Sequence, residues 1–256
     1  MASPSVICYP QPGKAISSDL LHAFASGAGG IVFAAQARQL SAGPAAFYGV
    51  IGLEHLLKQA RAEGRDWYYG DNAYFDSSRG SHYRFSKNSF QCVDDSVEPD
   101  YERLAATRMK VMPWRGNGKT IVLVEQSEHF FNLSCAGRDW VGRVSTELRK
   151  HTDRSIIVRR WSRDKRKASA TLRADLEGAW ALVTHMSAAA NEALMFGVPV
   201  FATGQCAASK LSLSDLSLIE TPKVDGDRDR WAAQLAARQW TIEEVKQGKA
   251  WRALNE

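Results

Sequence analysis

Ser187, Ala188, Ala189, Ala190 and Glu192 fall within the stretch "THMSAAANEALMFGVPVFATG", residues 184 to 204. A serine before a run of small residues suits a helix N-cap, and alanines leave backbone amides with no bulk above them. A diphosphate could approach such a turn closely, since helix starts present unpaired N–H groups. Glu192 lies five residues past the serine, too far for a capping box. A carboxylate in the second turn could accept both hydroxyls of a ribose while the amides upstream hold its phosphates. The plainer alternative is a cap, tight packing and a solvated glutamate.

The elements around this stretch predict a sheet that would position it. "TIVLVEQ" reads as a buried parallel strand, "RDWVGRVSTELRKHT" as an amphipathic helix and "SIIVRR" as the next strand. "TLRADLEGA" reads as a short helix, "WALVTHM" as a strand, "SAAANEALMFG" as a helix and "VPVFAT" as a further strand. Such alternation predicts an open, mostly parallel sheet with helices on both faces. Ligands collect beyond the carboxyl ends of its strands. His185 and Ser187 stand at one such end.

The earlier half reads as α/β in outline. "SVICYP" is a first strand, "PQPGKAISSDLLHAFASGAGG" a loop and short helix, and "IVFAAQ" a short strand. Leu53, Leu56, Leu57 and Ala60 have helical spacing, "DWYYG" follows as a strand, and Asp71 and Asn72 fall just past its end. "SRGSHYRFSKNSFQC" suggests an irregular strand or an acceptor-facing loop. The polar, proline-marked segment near 100 to 120 suggests a boundary: an N-terminal domain over 1–115, a second over 116–224, and C-terminal helices over 225–256 that return to the first. "GNGKT" imitates the end of a Walker A loop, but it precedes a strand where a phosphate loop must follow one.

At 256 residues the chain is long enough for one large domain or two smaller ones. Cys8, Cys92, Cys135 and Cys206 are far apart and form no CxxC pair, which predicts scattered thiols in a reducing, cytoplasmic setting. No apolar run approaches the roughly 18 residues that span a bilayer, and no signal-peptide pattern is visible. The net charge is +5, concentrated between Arg138 and Arg173. That balance suits a polyanionic partner, a phosphate-bearing small molecule or mere solubility.

The strand "IIVR" followed by "HMSAAANEALMFGVPVFATG" resembles the donor half of GT-B glycosyltransferases, particularly compact capsule-polysaccharide and phage-associated types. The resemblance covers about 120 to 210 well and the first half in outline; "RRWS" stands where related enzymes often carry a histidine-proline pair. It implies two Rossmann-like parallel-sheet domains with a donor/acceptor cleft, and a sugar moved from a nucleotide sugar, UDP-linked by expectation, to an acceptor hydroxyl. By resemblance Ser187 and Ala188 bind the donor phosphates and Glu192 the ribose. His185 touches phosphate or sugar, Arg159 supplies positive charge and Gln126 lines the same cleft.

Such a site needs no bound metal, because amides and basic side chains can neutralise the leaving group. "VDGDRD" has DxD spacing but follows no apolar strand, and reads as a solvated linker. The acceptor hydroxyl needs a base from the opposite domain, within about 3 Å. Asp71 is the first candidate and His82 the second; a loop cap and a surface histidine are their plainer readings. For the acceptor, basicity favours DNA carrying a hydroxymethyl base, with the host cytoplasm as location if the chain is phage-encoded. A saccharide is the alternative. A nucleotide-sugar 2-epimerase and a non-catalytic nucleic-acid-binding protein are the competing classes.

Overall fold

The computed structural model describes residues 5–33, 37–75, 81–91, 94–107, 109–134, 137, 139–161, 171–223 and 225–256. Cys92, Cys135, Arg138 and residues 162–170 of the basic stretch lie outside the described residues. The chain forms two compact units, Met1–Asp100 with Gln234–Glu256, and Tyr101–Ala233.

The first unit is built on a six-stranded sheet ordered β10-β5-β4-β3-β1-β2. Its strands are β1 (Ile7–Tyr9), β2 (Ile31–Val32), β3 (Ala45–Tyr48), β4 (Trp67–Asn72), β5 (Tyr83–Lys87) and β10 (Gln239–Trp240). The first four run parallel, while β5 is antiparallel to β4 and β10 antiparallel to β5. Helix α1 (Ala15–Ala28) forms because Leu20, Leu21, Phe24 and Ala25 recur at helical spacing, and all four are buried. Its Phe24 ring stacks on Phe85 at 4.3 Å, and Trp251 packs beside Tyr68 at 5.0 Å. Removing an aromatic ring from such a core typically costs about 3–5 kcal/mol. Helix α2 (Glu54–Ala62) buries Leu56, Leu57 and Ala60.

The carboxyl-terminal tail joins this unit from Gln234, part-way along its first helix. Helix α8 (Arg228–Ala237) leads into β10, then α9 (Ile242–Lys246) and α10 (Lys249–Asn255). Thr241 and Glu244 form a capping box that starts α9, a device worth about 1 kcal/mol. The tail therefore holds three helices and a strand, where the sequence suggests helices alone. β10 depends on β5, more than 150 residues earlier, and has no local signature.

The second unit carries a four-stranded, all-parallel sheet ordered β7-β6-β8-β9. Its elements are α3 (Tyr101–Ala106), β6 (Thr120–Val124), α4 (Glu128–Ser134), α5 (Trp140–Leu148), β7 (Ser155–Arg159), α6 (Leu172–Glu177), β8 (Ala179–Thr184), α7 (Ala189–Met195) and β9 (Val200–Ala202). Ile121, Val122 and Leu123 are fully buried, as a strand covered on both faces requires. The "GNGKT" segment enters β6: the Lys119 amide bonds the Gly178 carbonyl at 2.9 Å and the strand begins at Thr120.

One local expectation changes and one open alternative is decided. Asp71 and Asn72 lie inside β4, because the antiparallel ladder pairs Asp71 with Arg84 and Asn72 with Tyr83. Of the two readings of the "SHYRFSK" segment, the strand holds: residues 83–87 form β5, of which Tyr83, Arg84, Phe85 and Ser86 are buried.

Candidate functional site

In the second unit the first crossover leaves β6 for β7 on one side, and the next returns to β8 on the other. The switch point therefore falls between β6 and β8. Gln126 follows β6, and residues 185–188 follow β8. Thr184 ties the two strand ends, its hydroxyl donating to the Val124 carbonyl at 3.1 Å and accepting from the Ser187 amide at 3.4 Å. Gln126 Oε1 accepts the Met186 amide at 3.1 Å. A side chain that follows one strand thus braces the loop that follows its neighbour.

Ser187 Oγ accepts the Ala189 amide at 3.2 Å, and its carbonyl accepts the Ala190 amide at 3.1 Å. The first turn of α7 therefore satisfies two of the three amides that the sequence suggests for a ligand, because the chain already turns at Ser187. The Ala188 amide has no partner among the described residues. Ala190, Ala193 and Leu194 are fully buried, whereas Glu192 is exposed. Neighbouring Asn191 is fully buried, and its amide N and O both lack partners among the described residues. Such a buried orphan costs on the order of 1–3 kcal/mol.

His185 is buried, with Nδ1 3.0 Å from Thr203 Oγ1, a hydroxyl that also accepts Trp140 Nε1–H at 2.9 Å. The Phe131 and Trp140 rings lie 6.3 and 6.4 Å away. Burial pushes the imidazole's pKa down and so favours the neutral ring. Gly204 completes the arrangement, since a Cβ there would come within 2.4 Å of His185 Cε1. The glycine that closes the opening stretch is the space into which the histidine fits.

The arginines are answered by carboxylates. Arg159, at the end of β7, is ion-paired with Asp175 of α6. Arg160 bonds Glu125 Oε1 at 2.8 Å, and Glu125 Oε2 accepts the Trp161 amide at 3.0 Å. Arg159 therefore brings its positive charge to the strand end already paired. Among the described residues, no three His, Cys, Asp or Glu side chains stand where they could share a metal ion.

Asp71 and His82 belong to the other unit. Asp71 Oδ2 meets Arg84 Nη2 at 2.9 Å and Oδ1 accepts the Asn72 amide at 2.8 Å. Arg84 is 4% exposed, donates Nη1–H to the Phe90 carbonyl at 2.9 Å, lies 4.9 Å from the Tyr74 ring centre and keeps Nε without a partner. Tyr69 also bonds Asp71, and burial with that carboxylate pushes the phenol's pKa well above its usual value. The register leaves His82 just outside the ladder where β4 ends, with Ser81 Oγ 3.0 Å from its Nδ1.

Gln126, His185, Ser187 and Ala188 are thus gathered on adjoining loops, with Glu192 further along α7 and Arg159 at the edge strand. Sequence reasoning missed Thr184, Thr203, Trp140, Asn191, Glu125 and Asp175. The strand-terminal threonines carried a faint signal, as polar ends of apolar runs. The carboxylate partners carried none, since their pairing is tertiary.

No family model matches the chain, and no curated protein matches it in sequence. Solved structures do. The chain is similar to Thermosulfurimonas dismutans KpsC, beta Kdo 2,7 transferase, with a TM-score of 0.56 at 11% identity, covering 97% of this chain and 99% of that one. It is also similar to Thermosulfurimonas dismutans KpsC, beta Kdo 2,4 transferase, with a TM-score of 0.51 at 11% identity and 91% of each chain covered. The fold is GT-B-like. Each unit contributes one Rossmann-like sheet, and among the described residues no helix is long and apolar enough to cross a membrane.

Proposed function

We propose that the protein is a GT-B-type glycosyltransferase that moves a sugar from a nucleotide sugar to a hydroxyl of a saccharide. The observation that carries this reading is the braced switch point, where Gln126 locks the β8 loop across the ends of β6 and β8. A donor nucleotide bound there would meet Ser187 Oγ and the Ala188 amide with its phosphates and Glu192 with its ribose. His185, neutral and buried, would hydrogen-bond the donor without adding charge. The fixed dipoles would stabilise the departing nucleotide phosphate as the glycosidic bond breaks.

Asp71 is the base in this reading. Its carboxylate would take the proton from the acceptor hydroxyl as that oxygen attacks the anomeric carbon, with Arg84 and Tyr69 fixing its position. His82 is the second candidate for that role.

The solved structures of the same fold are named as KpsC Kdo transferases, which supports a saccharide acceptor over a base in DNA. Within the basic stretch that favours DNA, Arg154, Arg159 and Arg160 are each paired with a carboxylate, while residues 162–170 lie outside the described residues. Incubation with UDP-, GDP- and CMP-linked sugars and a panel of oligosaccharide and DNA acceptors tests the reading. Free nucleotide and an acceptor heavier by one sugar are expected with an oligosaccharide. Sugar interconversion without any acceptor would replace it with an epimerase.

A further inference from the structure

The first unit has a switch point of its own, between β1 and β3, and a cavity of about 670 Å3 opens beside it. That volume lies in the range of small-ligand sites. One wall is the turn from Tyr9 through Pro10, Gln11, Pro12 and Gly13 to Lys14, and the other is formed after β2 by Phe33. None of the described residues around it is a carboxylate, whereas Lys14 and His22 both line it.

The turn is built rather than loose. Buried Ser17 accepts the Gln11 amide at 2.9 Å and donates to the Tyr48 carbonyl at 3.1 Å, fastening the turn to β3. Gly49, with φ of 71°, makes room for it, since a Cβ there would lie 2.4 Å from Gln11 Oε1 and 3.5 Å from Lys14 Nζ. Lys14 Nζ sits 4.6 Å over the Tyr48 ring, a contact that orders the ammonium without neutralising it.

Two further features select the kind of ligand. The half-buried Phe33 ring stacks on the buried Tyr9 ring with centroids 5.6 Å apart, so Tyr9 backs it and Phe33 supplies an apolar face of the kind on which the C–H face of a sugar ring rests. His22 Nδ1 lies 2.8 Å from the Ser18 carbonyl. A carbonyl only accepts, so Nδ1 carries the hydrogen, and in the neutral ring Nε2 is left to accept a hydroxyl.

We propose that this cavity binds an anionic saccharide: Lys14 holds a carboxylate or phosphate, His22 Nε2 accepts a ring hydroxyl, and Phe33, backed by Tyr9, supports the ring. The identification of this ligand as the acceptor rests on the transferase reading. Its binding does not.

The test is amide NMR on the full chain, with no donor present, titrated separately with glucuronic acid, glucose 6-phosphate, glucose and inorganic phosphate. The expected result is saturable movement of the Gly13, Lys14 and Ala15 amides with at least one of the two acidic sugars. The tighter of the two identifies the source of the anion. Glucose and inorganic phosphate should each bind at least about tenfold more weakly, as loss of a charge-assisted contact implies. Lys14→Gln should weaken the acidic sugar by about tenfold and Lys14→Arg should restore most of it. Equal binding of glucose, equal binding of phosphate alone, shifts confined to other residues, or an unchanged affinity in a folded Lys14→Gln protein would each overturn the proposal. Binding here without any sugar transfer would count against the transferase reading alone, and transfer without binding here against this inference alone.

Discussion

The carboxyl ends of β4 and β8 both carry candidate site residues, but they are braced by opposite means. At β8 the ties are neutral: Thr184 to Val124, Gln126 to Met186, and His185 through Thr203 to Trp140. At β4 the tie is ionic, a guanidinium only 4% exposed against a carboxylate whose side chain is 31% exposed. Neutral hydrogen bonds hold a loop at small desolvation cost, each worth about 1 kcal/mol net. A buried cation must keep its partner, because removal of either leaves an uncompensated group. The β4 end should therefore be brittle, and the β8 end should change by degrees.

Arg84→Ala tests that brittleness most severely. It removes the buried guanidinium, its bond to Phe90 and its cover over Tyr74, and it should cost about 3 kcal/mol in urea denaturation. Arg84→Lys should recover only part, since one ammonium cannot reach both Asp71 and the Phe90 carbonyl as the guanidinium does. A loss under 1 kcal/mol for the alanine variant would show that the pair is only a surface contact.

Asp71→Asn separates chemistry from support. As the proposed base it should slow single-turnover transfer by roughly 100-fold or more, with donor affinity nearly unchanged. It also deprives Arg84 of its counter-ion, so stability must be measured beside rate. If transfer persists in Asp71→Asn and fails in His82→Ala, the base is His82. If neither variant is slowed, the carboxylate is only structural.

How these two ends differ also decides what could be read in the sequence. The second unit was legible because its strands are apolar runs buried on both faces and separated by helices, so local pattern and tertiary role agree. β3 gives no strand signal, since its four residues, "AAFY", buried throughout, show no alternation beside a glycine. α4 was missed because its seven residues carry two phenylalanines and no clean stripe. The sequence places Asp71 past its strand because only the distant partner β5 extends β4 that far. The loop after β8 could be placed from the strand-helix boundary alone, whereas the carboxylates that neutralise Arg159 and Arg160 could not. Those pairings exist only once β6, β7 and α6 are side by side.

At the β8 end, Glu192→Ala should weaken binding of the cognate nucleotide by roughly 1–3 kcal/mol through loss of hydrogen bonds to the ribose. Because the residue is exposed on α7, the midpoint of unfolding should barely move. Calorimetry with the nucleotide alone reads the effect. An unchanged dissociation constant would remove Glu192 from the donor site and leave the Gln126-braced loop to account for binding.

The smallest expected effect is a pH dependence at His185. Burial lowers its folded pKa beneath the ordinary value of about 6.5, so around and below that value the unfolded chain binds more protons than the folded one. Stability then rises with pH through this window and is lost as pH falls, by less than about 1.4 kcal/mol per unit for one group. His185→Gln removes the titration while keeping a side chain able to reach Thr203. Compared by urea denaturation between pH 7.5 and 5.5, the wild type should lose more stability than the variant, because the other histidines titrate alike in both. Parallel decline would mean that the ring is protonated in the folded protein as readily as in the unfolded chain. The β8 end would then respond to acid through some group other than its histidine, and its bracing could not be neutral in the way that sets it apart from β4.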